Sequence, residues 1–189
     1  WLDGLDIPMV NHLSASFAEK LDETSQELKR LEGDSLARYG SGLLPVDHKL
    51  FENRASPVFS YPYERTKEAL DKMKRSDEWD ICHGLKLKYV NPSNGGHAIP
   101  TMATFMQLIP KSFSGNSYKS TDGTIYSVVE GSGETSIDDK VFNWTKGDIF
   151  VVPPWAKIAH KTNEESVLFS FSDRPVQELL GLFREKIYN

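Results

Sequence analysis

The second half of the sequence predicts a mainly β fold, an antiparallel sandwich or barrel. Short β-type runs at 85–89, 103–109, 124–130, 134–137, 140–144, 148–152 and 166–171 are separated by turn signals such as Asn94-Gly95-Gly96 and Asp122-Gly123. Short strands joined by such turns are typical of antiparallel sandwiches and barrels. Asp138-Asp139 stands between two alternating runs and predicts a two-residue hairpin turn.

The chain divides near residue 82, which predicts two parts: an arm, linker and helix over 1–82, and a β domain over 83–189. Residues 1–12 (WLDGLDIPMVNH) are apolar with Gly4 and Pro8, and they predict an extended arm that packs against another surface. The polar stretch 13–60 is long for a loop inside a compact domain. It is interpreted as a linker or as a strap around a partner, with a short helix at 14–21.

Two further helices are predicted. Over 62–75, Leu70 and Met73 fall on one face and charged residues take much of the rest. Over 174–185, apolar residues form one stripe, and Asp173 is a natural N-cap for this terminal helix.

The composition narrows the classes of function. The chain has 39% hydrophobic and 26% charged residues, as in globular proteins, and a net charge of −5. An acidic balance argues against general nucleic-acid binding, which needs a basic surface. No apolar run reaches the ~20 residues of a membrane helix, and no signal peptide is visible. Cys82 is the single cysteine, so an intracellular, cytoplasmic site is expected.

Two stretches, 112–131 and 147–158, resemble the two sequence motifs of the cupin family. Gly131, Gly147 and Pro153 match the spacing of those motifs, whereas Ser112 and Trp155 stand where the family has glycine. In cupins, alternate residues of a strand point into the barrel, so that a His-x-His pair, a Glu and a later His hold one metal. The resemblance implies a cupin barrel (a double-stranded β-helix, or jelly roll).

The four metal-ligand positions of the motifs hold residues that do not bind a divalent metal tightly. These vacated positions are Tyr118, Ser120, Thr124 and Ile158. None of the four offers an imidazole or a carboxylate. The sequence therefore predicts a cupin barrel with no metal and no catalytic residue in this chain.

The amino-acid sequence of several segments is similar to that of a narrower family, the gentisate 1,2-dioxygenases, which are bicupins. Four segments resemble the C-terminal half of these enzymes: NPSNGGHAIPTMATFMQLIPKSF (91–113), YKSTDGTIYSVVEGSG (118–133), GDIFVVPPW (147–155) and LFSFSDRPVQELLGLFREK (168–186). The opening WLDGLDIP (1–8) looks like the segment that follows the last metal-binding His of the N-terminal cupin.

This resemblance implies an oxidoreductase that cleaves the ring of gentisate with O2 to give maleylpyruvate. It implies Fe(II) held by three His in an N-terminal cupin, a homotetramer, and an aromatic acid as substrate. A chain that begins with Trp1 is expected to be a piece of such a protein, whose iron ligands precede it. The second barrel is then expected to be structural, to support the N-terminal cupin and the oligomer, and to be inactive alone.

Two alternatives remain open. The first is a stand-alone non-metal cupin that binds a small aromatic ligand in its vacated interior. The second is a related enzyme that cleaves 1-hydroxy-2-naphthoate or salicylate. The residues encoded upstream of Trp1 discriminate the first from the enzyme, whereas the substrate would be set mostly by the N-terminal half.

Three charged residues are candidates for contact with substrate. Asp3 and Asp6 lie in the arm, where a carboxylate could orient a His or a substrate hydroxyl, or simply cap a turn. The substrate-proximal hypothesis is kept for Asp3, and the turn cap is favoured for Asp6. Arg174 could hold an acidic substrate, but it is favoured as an anchor for the last helix or as one side of a subunit contact.

The histidines of the second half show no metal-ligand spacing. His83, His97 and His160 are interpreted as polar residues of loops or of the barrel edge. Ile158 and His160 should share a strand face, because they are two residues apart. Cys82 is interpreted as a buried filler rather than a nucleophile.

Overall fold

The β half of the chain folds into two five-stranded sheets around a common interior. The computed structural model describes residues 2–47, 54–75 and 78–189, and within these the strands are β1 (Leu85–Lys88), β2 (Ala103–Ile109), β3 (Tyr118–Ser120), β4 (Thr124–Glu130), β5 (Ser132–Ile137), β6 (Lys140–Thr145), β7 (Ile149–Val152), β8 (Ile158–Lys161), β9 (Ser166–Ser172) and β10 (Glu185–Ile187). The first sheet has the order β1-β2-β9-β4-β7 and the second β10-β3-β8-β5-β6. All pairs are antiparallel, which confirms the predicted mainly β fold.

The longer β-type runs include those that the sequence predicts best. β2 and β4 have the predicted bounds, and the Asp138-Asp139 hairpin joins β5 to β6, with Ile137 opposite Lys140. Asp138 has a φ of 51°, which suits a tight hairpin turn. The strands β3, β8 and β10 fall outside the predicted β-type runs, although the strand face expected for Ile158 and His160 agrees with β8.

The alternation along the strands separates the barrel interior, or lumen, from the outer faces. On β4, Thr124, Tyr126 and Val128 are buried, and the residues between them are partly exposed. The central strand β9 is buried except at Phe169, which is partly exposed. The inward residues of β9 line the lumen, whereas Val167 faces outward and packs against a helix on the outer face of the first sheet.

A helix on the outer face of the first sheet confirms the helix predicted over 62–75. The helix, Tyr63–Met73, follows two short helices, Ile7–His12 and Asp34–Tyr39, and is called α3 (the short ones are α1 and α2). Leu70 of α3 has no exposed surface and packs with Met106, Leu108 and Val167 on the outer face of the first sheet. Ser56 donates its backbone N–H to Ala98 at 2.7 Å. Residues 54–75 thus lie on the barrel, and the domain boundary at residue 82 stays a prediction.

The extended arm predicted over 1–12 is wrong for its second half. Residues 7–12 form α1, with Pro8 in its first turn, where a missing N–H costs nothing. The carbonyl of Asp6 accepts hydrogen bonds from Met9 and Val10 and starts the helix. Trp1 lies outside the described residues.

The short helix predicted at 14–21 is also wrong. These residues are exposed coil, and Phe17 is 87% exposed. A helix this short is marginal in water without a surface to pack on. Residues 48–53 of the predicted linker lie outside the described part. Among the described helices, none has the length and apolar content needed to span a membrane.

The terminal helix is much shorter than predicted. It covers only Arg174–Leu179 (α4), and residues 185–187 form strand β10 instead of its last turn. Gly181, with φ of 70°, stops the helix: its N–H bonds to Glu178 and the N–H of Leu182 bonds to Gln177. This is the Schellman arrangement that ends helices at a left-handed glycine. Asp173 holds the N-cap position but makes no side-chain cap bond. Its carboxylate accepts instead from the Gly123 N–H.

Candidate functional site

The vacated metal positions lie on strands that meet in the lumen. Tyr118 of β3 and Ile158 of β8 are direct partners across the second sheet, and both are buried. Ser120 is two residues further along β3. Thr124 begins β4 in the facing sheet and is 8% exposed.

The backbone keeps the geometry of the cupin motifs where the side chains have changed. Gly131 and Gly147 have φ values of 79° and 93°. Ser112 and Trp155, which replace glycines of the motifs, both have φ of 62°. The left-handed region favours glycine, and only four non-glycine residues among those described adopt it. The turns therefore retain the shape that glycine would give them.

Aromatic rings fill the centre of the lumen. The hydroxyls of Tyr118 and Tyr126 lie 3.0 Å apart and join the two sheets by a hydrogen bond. Burial, the charge of the other phenol and this hydrogen bond raise the pKa of Tyr118 well above 10, and burial raises the pKa of Tyr126 to about 12. Phe150 of β7 stacks on Tyr126 with ring centroids 5.0 Å apart. Both phenols therefore stay protonated.

A second hydrogen-bonded chain crosses the lumen beside the tyrosines. The Trp144 Nε1–H donates to the Thr135 hydroxyl at 2.8 Å, and that hydroxyl lies 2.9 Å from Nδ1 of His160. All three residues are buried. Burial, with smaller effects from Lys86 and His83, lowers the pKa of His160 to about 3. The imidazole is therefore neutral at physiological pH.

The residues at the vacated positions do not fit an iron site. Ile158 has no donor atom, and the Tyr118 phenol is protonated and bonded to another phenol. Ser120 and Thr124 offer only neutral hydroxyls, whereas Fe(II) sites of this kind use imidazole and carboxylate. Within residues 2–47, 54–75 and 78–189, no three His, Cys, Asp or Glu side chains come together as a metal group would require.

The interpretation of His160 as a loop or edge residue is wrong. Its side chain has no exposed surface and lies inside the barrel on β8, on the same face as Ile158. A lone His carries no signal of burial, because its partner Thr135 is 25 residues away in sequence. His83 sits above the ring of Tyr118, and His97 lies 2.9 Å from a carboxylate oxygen of Glu178.

Cys82 behaves as predicted. It is fully buried in the lumen cluster, and desolvation raises the pKa of its thiol. A thiol with a raised pKa is a poor nucleophile.

A buried ion pair at the barrel end escaped the sequence analysis. The Arg174 Nε lies 3.3 Å from a carboxylate oxygen of Asp122, whose side chain is 3% exposed. Burial alone would raise the pKa of Asp122, but the Arg174 guanidinium and hydrogen bonds from Ser120 and Ser172 outweigh it and hold the pKa below 3.8. Arg174 therefore anchors the start of α4, one of the two roles favoured for it. The signal in the sequence is weak, since 52 residues separate the pair.

The arm packs on the outer face of the first sheet. The backbone of Gly4 approaches the ring of Phe171 and the sulfur of Met102. Asp6 accepts a 2.5 Å hydrogen bond from the Thr101 hydroxyl, which ties the arm to the barrel. Asp3 is exposed on the arm, and its substrate-proximal role stays a prediction.

Two relatives in sequence and one solved structure that resemble this chain are named as 1,2-dioxygenases of aromatic acids. The chain is 54% identical over 185 residues to gentisate 1,2-dioxygenase 1 of Aquipseudomonas alcaligenes, covering 98% of this chain and 53% of that protein. It is 36% identical over 191 residues to 5-aminosalicylate 1,2-dioxygenase of Comamonas sp., covering 100% and 50%. The chain spans about half the length of the curated relatives it matches. No family model matches it.

Among solved structures, the salicylate 1,2-dioxygenase of Pseudaminobacter salicylatoxidans superposes with a TM-score of 0.82 at 26% identity. The match covers 96% of this chain and 53% of that one. It confirms the cupin barrel implied by the motifs. The chain therefore corresponds, in sequence and in fold, to the C-terminal half of a bicupin gentisate 1,2-dioxygenase.

Proposed function

We propose that this chain is the non-metal, structural cupin half of a ring-cleaving dioxygenase. The observation that carries the proposal is the state of the four vacated positions: together they offer one hydrocarbon, two aliphatic hydroxyls and one protonated phenol. Such a set does not hold Fe(II), yet the surrounding backbone keeps the cupin turns. The barrel is thus maintained for its shape rather than for metal chemistry.

In this proposal the iron belongs to an N-terminal cupin that precedes the chain and is its first partner. The favoured reaction of the whole protein is the O2-dependent cleavage of gentisate to maleylpyruvate, in the cytoplasm. The 54% identity to a gentisate 1,2-dioxygenase supports this substrate over 5-aminosalicylate, at 36%, or 1-hydroxy-2-naphthoate, at 30%. Asp3, in the arm that would leave the iron-bearing cupin, is retained as a substrate-proximal residue.

The structural role rests on apolar surface that the barrel leaves open. On the outer face of the first sheet, Ile149 and Val151 of β7 are 52% and 56% exposed, and Val151 pairs with Ile125. The arm adds Leu5, which is 64% exposed. Apolar patches of this kind mark protein–protein contacts. We assign them to the N-terminal cupin and to other subunits of a homotetramer.

The decisive experiment compares the 189-residue chain with a polypeptide extended by the upstream cupin. Each is supplied with Fe(II), and bound iron and O2 consumption with gentisate are measured, with salicylate and 1-hydroxy-2-naphthoate as alternative substrates. The short chain should bind no iron and consume no O2, whereas the extended one should do both. Ring cleavage by the short chain would contradict the proposal.

The rival function, a stand-alone non-metal cupin that binds a small aromatic ligand, is tested by the coding sequence upstream of Trp1. A start codon there would favour the binder, and a His-x-His cupin would favour the enzyme. The stacked rings of Tyr126 and Phe150 already occupy much of the lumen, which disfavours an aromatic ligand at its centre.

A further inference from the structure

The lumen contains a lysine without an ionic partner. Lys86 of β1 lies opposite Gln107 of β2. Its ammonium is 4.8 Å from the centroid of the Phe105 ring and 5.8 Å from that of Tyr126, in the manner of cation–π contacts. Within the described part of the chain it makes no salt bridge and no hydrogen bond. A partly buried ammonium held only by aromatic rings lacks the acceptors that normally replace water.

Three fully buried polar side chains around this lysine also have an atom without a partner. These atoms are Oε1 of Gln107, Oγ of Ser170 and Nε2 of His160. The register of the first sheet places them together: Gln107 faces Lys86, and Ser170 lies opposite both Phe105 and Tyr126. His160 contacts Tyr126 from the facing sheet, with ring centroids 5.3 Å apart.

Unsatisfied buried polar atoms are uncommon in native proteins, since each one costs about 1–3 kcal/mol. Three of them beside one unpaired ammonium are groups that a small polar guest, such as water or an anion, would satisfy. Water would satisfy the hydrogen bonds but would leave the charge uncompensated.

The charges of the enclosed groups do not balance. Asp122 and Arg174 compensate each other, and the second carboxylate near Arg174, that of Glu185 at 3.9 Å, is 52% exposed to water rather than enclosed. His160 is neutral, and burial, with Lys86 and Arg174 nearby, lowers the pKa of His83 to about 3. Burial and the Arg174 charge lower the pKa of Lys86 to about 8, so its ammonium stays mostly protonated at pH 7. One positive charge therefore remains.

We propose that the lumen of this barrel binds one small carboxylate anion, with Lys86 as its charged contact. One carboxylate oxygen accepts from the Lys86 ammonium, and the other accepts from the Ser170 hydroxyl and, in the tautomer protonated at Nε2, from His160. A hydroxyl on the ligand would donate to Oε1 of Gln107. The site uses residues other than the four vacated positions and is independent of the iron chemistry proposed above.

The test is a calorimetric titration of the protein with sodium acetate and with sodium benzoate, using sodium chloride as the reference salt. Saturable binding of acetate, with chloride at least tenfold weaker, is expected, whereas benzoate should bind more weakly than acetate because the rings of Tyr126 and Phe150 already occupy much of the lumen. Lys86→Met should weaken that binding at least tenfold. Lys146→Met, which removes an exposed lysine in the turn before β7, should leave it unchanged.

Ser170→Ala provides a second variant in case Lys86→Met does not fold, as judged by circular dichroism. It should weaken binding at least threefold. Binding that is the same in Lys86→Met would belong elsewhere, for example to an iron site in an attached cupin, and would overturn the proposal. So would the absence of saturable binding, equal binding of chloride, or a crystal grown in acetate with only water beside Lys86.

Discussion

The burial of His160 predicts a specific loss of stability in mild acid. The unfolded imidazole titrates near 6.5, whereas burial lowers the pKa of the folded one to about 3. Unfolding therefore takes up a proton at any pH between these values. The stabilising contribution is complete above pH 6.5 and is lost as the pH falls from 6.5 towards 3.

The magnitude follows from the two pKa values. Between pH 7 and pH 5, the difference in proton binding between the unfolded and the folded state is equivalent to roughly 1.4 pKa units. This lowers the free energy of unfolding by about 2 kcal/mol. Many small domains have only 5–15 kcal/mol in total, so this loss is measurable.

Urea unfolding at pH 7 and at pH 5 provides the assay, with His160→Asn as the variant. Asn keeps a group that can bond to Thr135 but does not titrate. The variant loses stability at both pH values because the lumen is less well packed. Its difference between pH 7 and pH 5, however, should be about 2 kcal/mol smaller than that of the unmodified chain.

His12→Asn, at an exposed histidine of α1, is the matched control and should retain the pH dependence of the unmodified chain. If His160→Asn loses as much stability between pH 7 and pH 5 as the unmodified chain does, the imidazole is not held neutral in the lumen. The account of its burial would then be refuted.

Three further predictions concern stability and are checked by urea or thermal unfolding. Gly131→Ala should cost about 3 kcal/mol or more, because its Cβ would lie 2.7 Å from a carbonyl oxygen. Gly147→Ala, at a similarly positive φ but in open space, should cost only about 1 kcal/mol; equal costs would contradict the packing argument. Leu70→Ala should cost about 3 kcal/mol, and Met73→Ala, at the exposed C-terminal end of α3, less than 1 kcal/mol. Asp122→Asn should cost about 3 kcal/mol, because it leaves a guanidinium facing a neutral amide; a neutral result would show that the pair adds nothing.

The accuracy of the predictions from sequence depended on how local the signal was. The sequence predicts strands β2 and β4 to the residue, since a seven-residue run with β-branched and aromatic side chains, bounded by turn signals, is a strong local pattern. The terminal helix was predicted too long because its apolar stripe outweighed Gly181, although the left-handed turn at that glycine ends the helix. The helix at 14–21 failed because propensity alone does not hold a short segment without a packing surface.

The lumen shows most clearly which features the sequence determines and which ones only the tertiary structure decides. The sequence alone determined that the motif spacing persists and that Tyr118, Ser120, Thr124 and Ile158 offer no imidazole or carboxylate, because spacing and residue type are properties of the chain itself. Only the tertiary structure decided that His160 is buried and that Lys86 faces Gln107 inside the barrel. Such neighbours depend on the register between strands that are distant in sequence, and register is set by the packing of the whole barrel.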